Sequence, residues 1–251
     1  MKTGKNGFTL IEVLITVSVV IALAAIAASV VRSAREKANQ TSAMNKMKSL
    51  GAAFAAYTTD HNGELPQEDA PGSDDWVTAA KPEHQQAWYN ALPVIMGAPS
   101  VGELGRTNPA GFYDDSYPLH IAGAPYPSSS KRLGAPSFAV GMNSRLQRKD
   151  EDGLKKTGRY ELIQEPAKTV VLLERGLPAD KKTSSSQRGF DGSPKANPRA
   201  FAARHAQKGC LIFADGHAEL HAASDLISTG GAIITPQTSI VWTMDPEADP
   251  N

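Results

Sequence analysis

The chain has 251 residues with 26 Lys and Arg against 26 Asp and Glu, so its net charge points neither to nucleic acid nor to an acidic partner. A single cysteine, Cys210, excludes an internal disulfide and a cysteine-based zinc site. The length allows one domain with a tail or two small domains, and the hydrophobic content, 41% of the chain, is densest between residues 8 and 31.

The first element is KNGFTLIEVLITVSVVIALAAIAASVV, residues 5–31, with Lys2 and Lys5 at its front. Residues 13–31 carry no charge and only Thr16, Ser18 and Ser29 as polar side chains; about 20 such residues cross a hydrocarbon core. Three readings fit this run: a secretory signal peptide cut near residues 22–24 or 25–27, a plain anchor, or an anchor processed ahead of the run. Glu12 separates them, because an unpaired carboxylate in hydrocarbon costs about 3 kcal/mol or more and serves no purpose in the first two. Cutting between Gly7 and Phe8 would give Phe8 a free amino group one helical turn from Glu12. Between packed helices, Glu12 of one chain could meet the Phe8 amine of its neighbour.

The helix is expected to continue to about Asp60, because no proline interrupts it and Ala43, Met47, Leu50, Phe54 and Tyr57 recur at spacings of 4, 3, 4 and 3. Met44 and Met47 read as core packing, and Asn62-Gly63 as the stop. Residues 66–136 read as long loops rich in Pro, Gly, Ser and Asp, including Asp74-Asp75 and Asp114-Asp115, around one short helix in EHQQAWYNALPVIM that anchors Trp88 and Leu92. Five stretches read as strands: SFAVGMN (137–143), TVVLLE (169–174), CLIFA (210–214), HAELHA (217–222) and SIVWTM (239–244). Asp215-Gly216 predicts a two-residue hairpin turn in which Ala214 faces His217, Phe213 faces Ala218 and Leu211 faces Leu220. That register puts Leu211, Phe213, Ala218 and Leu220 on a core face, and Cys210, Ile212, Ala214, His217, Glu219 and His221 on the other. Residues 181–199 read as an exposed polar loop, and DPEADPN (245–251) as a solvated tail.

KNGFTLIEVLITVSVVIALAAIA resembles the processing signal of type IV prepilins and type II secretion pseudopilins: a short basic leader ending in Gly7, then Phe8, Glu12 and an apolar helix. The resemblance implies cleavage by a prepilin peptidase after Gly7 on the cytoplasmic side, methylation of the Phe8 amine, and pairing of Glu12 with that amine during fibre assembly. It also sets orientation, because Arg32, Arg35 and Lys37 balance the leader lysines and blunt the positive-inside rule. RHAQKGCLIFADGHAEL, with His205 nine residues ahead of Asp215-Gly216 and followed by His217, is similar to the H-X9-DG domain. YTTDHNGELP, AWYNALP, SFAVGMNSRL and PAKTVVLLERG match the same family in order. The implied architecture is α+β and pilin-like: a leader (1–7), a membrane half-helix (8–31), an amphipathic extension (32–62), and an extracytoplasmic domain (63–251) whose antiparallel sheet packs on the helix.

The implied function is a structural subunit of a type II secretion pseudopilus or type IV pilus-like fibre, anchored once in the inner membrane. Its partners would be prepilin peptidase, sister subunits and the secretion assembly platform, with no nucleic acid. The alternative is a membrane-tethered binding module that uses the signal for export alone. No cofactor or metal is expected. The weaker metal candidates are His205, His217, Glu219 and His221, and calcium on the acidic C-terminal residues. The favoured reading of His205 and Asp215 is structural: an imidazole–carboxylate hydrogen bond that holds the turn. No G-x-S-x-G elbow or phosphate-binding glycine loop occurs, and Cys210 in a strand reads as an inert thiol, so no enzymatic activity is expected.

Overall fold

The computed structural model describes residues 9–68, 75–128, 134–149, 155–156 and 158–251. Helix α1 runs from Leu10 to Asp60, 51 residues without a break, or about 77 Å at 1.5 Å per residue. None of residues 10–31 is covered by the rest of the chain. Among the described residues, α1 is the one helix long and apolar enough to cross a bilayer. Burial begins where the amphipathic stripe begins: Ala43, Met47, Leu50 and Phe54 are fully enclosed and Tyr57 nearly so. The helix stops at the expected place. His61 N–H bonds Tyr57 O, Gly63 N–H bonds Thr58 O, and Asn62 and Gly63 take positive φ, which closes the last turn.

Residues 66–136 are not the loop region that their composition suggests. Their described part folds into a helical layer of α2 (Trp76–Ala79), α3 (Trp88–Ile95) and α4 (Val101–Thr107), with 3-10 turns between and after them. Side chains of Asp75 and Ser100 cap α2 and α4. Trp88 and Leu92 are fully buried, as the helical reading of that stretch requires.

The strands are β1 (Val140–Asn143), β2 (Arg148–Lys149), β3 (Lys155–Lys156), β4 (Val170–Glu174), β5 (Lys195–Ala196), β6 (Lys208–Phe213) and β7 (Ala218–Ala222). β2 pairs with β3, and the main sheet has the order β5-β1-β4-β6-β7. Four of its strands are antiparallel neighbours, and β5 joins β1 in parallel. The fold is therefore the long helix on an α+β body, with a mixed sheet where an antiparallel one was expected. β5 lies in the stretch read as an exposed loop, which is held in place by the buried Gln187 donating to Phe201 O at 2.7 Å. SIVWTM forms no full strand; Val241 makes one parallel bridge to Thr169.

Both faces of the sheet are buried. Val140, Met142, Cys210 and Ile212 join α1 and the helical layer in one core, while Val170, Leu173, Leu211 and Phe213 pack with Ile240 and Trp242 in a second. A continuous apolar strand such as VVLLE is what two-sided burial selects. A bulge between Val170 and Leu172 lets Val171 and Leu172 both face the first core.

The hairpin register differs from the expected one by a residue. Cys210 pairs with Leu220, Leu211 with Glu219 and Ile212 with Ala218. The loop holds three residues, closed by Phe213 N–H to His217 O and by Gly216 N–H to Phe213 O, with Gly216 at φ +90°. A type I turn followed by a left-handed glycine is the usual three-residue hairpin. The slip regroups the faces: Ala218 and Leu220 turn to α1 with Cys210 and Ile212, while Leu211 and Phe213 share a face with His217, Glu219 and His221. The C-terminal residues are not a free tail either. Buried Gln237 donates to Pro246 O and Ala248 O, and Ile233 N–H bonds the Asn251 side chain at 2.8 Å.

The turn meets α1 at one point. A Cβ added to Gly51 would stand 2.3 Å from Gly216 O and 3.1 Å from Ile212 Cγ2. Gly51→Ala is expected to lower unfolding free energy by about 1–3 kcal/mol through overpacking. Gly230→Ala, which meets only Ser228 Oγ at 3.9 Å, should stay within about 0.5 kcal/mol. Denaturant unfolding of the full chain in detergent reads both, and equal stability of the two variants would contradict the contact.

Candidate functional site

The N-terminal site is built on the first turn of α1. Thr9 is the N-cap, with its hydroxyl accepting from Glu12 N–H at 3.3 Å. Glu12 Oε2 in return accepts from the Thr9 N–H and from the Thr9 hydroxyl, both at 2.8 Å. This reciprocal capping box satisfies donors that a helix end otherwise leaves open, and the carboxylate lies at the favourable end of the helix dipole. The premise of an unpaired Glu12 is therefore corrected: one carboxylate oxygen has partners within its own chain. Its second oxygen makes no hydrogen bond among the described residues. Gly7 and Phe8, the processing residues, lie outside the described residues, as does Asp74.

The second group is the His205–Asp215–Gly216–His217 constellation. The structure separates what the spacing suggested should join. His205 Nε2 lies 2.9 Å from Glu174 Oε1, both side chains being buried, rather than on Asp215. Asp215 instead caps its own turn, accepting from His217 N–H at 3.1 Å and contacting His217 Nδ1 at 2.5 Å. The His217 ring stacks on Phe213 at 4.4 Å and 4°. Gly216 supplies the left-handed turn residue and the close approach to Gly51. Each member of the motif has a structural task, and the tasks are at different places.

Around His205 lies a buried ionic network that the spacing of the motif did not reveal. Arg204 grips Asp180 with two nitrogens at 3.0 and 2.6 Å, and its Nη1 lies 3.6 Å from Glu174 Oε2. Arg204 also donates to Arg175 O, and Arg175 bonds Asp191 and the carbonyls of Gly189 and Lys195. Buried charges persist only when paired and hydrogen-bonded. The sequence did hold a signal for this cluster: an acid closing the wholly apolar strand VVLLE must find a cation or a donor.

The metal candidates are divided accordingly. His205 is held by Glu174, away from the edge strand. His217 and His221, four positions apart, lie 3.8 and 3.2 Å from the Glu219 carboxylate. Among the described residues no group of three or more His, Cys, Asp or Glu side chains is placed to hold a metal. The C-terminal carboxylates of Asp245 and Asp249 accept from backbone N–H groups of Glu247 and Asn251 instead of converging. Cys210 is fully buried beside Met44. Burial, aided by the Glu174 charge, pushes its thiol far above the usual range, which suppresses the nucleophilic thiolate.

Residues 2–31 match the prokaryotic N-terminal methylation motif. No curated protein and no solved structure matches the chain. The match covers the leader, the cleavage residues, the capping box and the lipid-length part of α1, and it supports a pilin-type processed protein.

His205→Leu strips Glu174 Oε1 of its partner inside the core and is expected to cost about 2–3 kcal/mol. His217→Ala, at a half-exposed ring, should cost less than about 1 kcal/mol. Chemical unfolding of the two full-length variants distinguishes them; a His205 variant as mild as the His217 one would remove the structural role assigned here.

Proposed function

We propose that the chain is a structural subunit of a type II secretion pseudopilus or a type IV pilus-like fibre. Prepilin peptidase cuts it between Gly7 and Phe8 and methylates the Phe8 amine. Residues 8–31 hold it once in the inner membrane, with the α+β body outside the cytoplasm. The observation that carries this reading is the division of α1: residues 10–31 are bare, while burial against the body starts at Ala43. A bare apolar half-helix continuous with a docked half-helix is suited to packing against sister helices while its own body stays folded.

The capping box adds a mechanism. Glu12 Oε2 is already committed to Thr9, so its second oxygen is the one that receives the Phe8 ammonium of a neighbouring subunit. A charge pair in low dielectric is a strong attraction, and the incoming subunit need not break the cap to form it. The H-X9-DG segment contributes rigidity to the body, and neither catalysis nor a cofactor belongs to this reading. A membrane-tethered binding module is the second reading, favoured by a pocket in the helical layer.

Co-expression with a prepilin peptidase should yield a mature chain that begins at N-methylated Phe8, seven residues shorter than the precursor, by N-terminal mass analysis. Persistence of Met1 under those conditions would falsify the processing. Glu12→Ala should leave membrane insertion intact and abolish recovery in sheared fibres; normal incorporation of that variant would instead point to the tethered module.

A further inference from the structure

Where the end of α1 meets α2, α3 and α4, the surface opens into a pocket of about 430 Å³, a size typical of small-molecule sites. One buried side chain sets its frame. The Asn90 amide donates to Ala79 O and His84 O, both at 2.9 Å, and its carbonyl accepts from Gly102 N–H at 2.8 Å. Three neighbouring segments are thereby tied to α3, and the cavity exists without a ligand to shape it.

The lining departs from the neutral balance of the whole chain. Among the described residues it contains Lys81, Arg106 and His61 and no carboxylate. Arg106 Nη1 donates at 2.9 Å to the carbonyl of Ala80, the residue before Lys81, and further N–H groups of its fork are left unspent. Asp75, whose charge interacts with Lys81, already takes the Thr78 N–H with its carboxylate. On the apolar side, Val94 and Ile95 are 59% and 40% exposed. Gln86 accepts the Tyr57 hydroxyl at 2.6 Å, so its amide N–H groups face outward as donors. Burial pushes the Tyr57 phenol up to about 12, which keeps that hydroxyl a donor.

Two cations, amide donors and an apolar wall define a ligand by its chemistry. We propose that this pocket binds a small organic carboxylate, the carboxylate on Lys81 and Arg106 and the remainder against Val94 and Ile95. Such a group could come from an aliphatic acid or from an acidic sugar. The site is independent of fibre assembly, since it lies on the body at the far end of α1 from Phe8 and Glu12.

Ligand-observed NMR and calorimetry on the full chain in detergent, at low salt, provide the test. The probes are hexanoate and glucuronate, with hexanol and glucose as neutral counterparts. At least one carboxylate should bind saturably and at least about tenfold more tightly than its neutral counterpart, and Lys81→Gln and Arg106→Gln should each weaken it by about tenfold, as loss of a charge-assisted hydrogen bond does. Binding of hexanoate alone assigns the site to aliphatic acids, and of glucuronate alone to acidic sugars. Val94→Asp, at an exposed position, should abolish binding with the unfolding transition unchanged. Failure of both carboxylates to bind, equal affinity for the neutral probes, or indifference to both charge variants would overturn the assignment.

Discussion

The body of this protein is organised by the contact between Gly51 on the long helix and Gly216 at the tip of the β6–β7 hairpin. A side chain at Gly51 would collide with the turn's carbonyl 2.3 Å away, so the helix and the hairpin touch backbone to backbone. That approach fixes how deeply α1 enters the sheet and so which residues of β6 and β7 can reach it. It also accounts for the three-residue loop. A two-residue turn would rotate the hairpin's faces and present Glu219 and the histidines to the helix, burying charge without partners. The slipped register gives the helix Cys210, Ile212, Ala218 and Leu220 instead.

The C-terminal end of β4 is stabilised differently. There paired charges, Glu174 with His205 and Arg204, Arg204 with Asp180, and Arg175 with Asp191, link the strand to the loops that follow it. Such pairs add less net stability than an apolar replacement of the same shape, but each partner punishes the loss of the other. The consequence is specificity: the loops between β4 and β6 have one arrangement in which every buried charge is matched. The polar stretch 181–199 is ordered for that reason.

Sequence made some of this legible and hid the rest for identifiable reasons. The α1 stripe was readable because its period repeats over four turns and its stop signal is local. β1, β4, β6 and β7 were readable from their β-branched and apolar runs. The hairpin was recognised, but Asp-Gly serves both loop lengths, and the choice was made by Gly51, some 165 positions away in the chain. β5 has two residues, and α2 and α4 are short, with glycines inside α4, so none presents a period to detect. The partner of His205 was hidden because the nine-residue spacing drew attention to Asp215, while the true partner belongs to another strand. The C-terminal residues looked like a tail because the side chain that holds them, Gln237, gives no local sign of its task.

The exposed stretch of α1 between residues 31 and 38 has one more consequence. With the apolar half in a bilayer, Tyr57 lies 26 residues above Val31, about 39 Å along the helix axis. Ionic screening at physiological salt extinguishes a charged surface's field within about 8 Å. With the helix upright in the bilayer, the pocket proposed above would stand several screening lengths clear of anionic lipid, so headgroup charge would contribute little to what it binds.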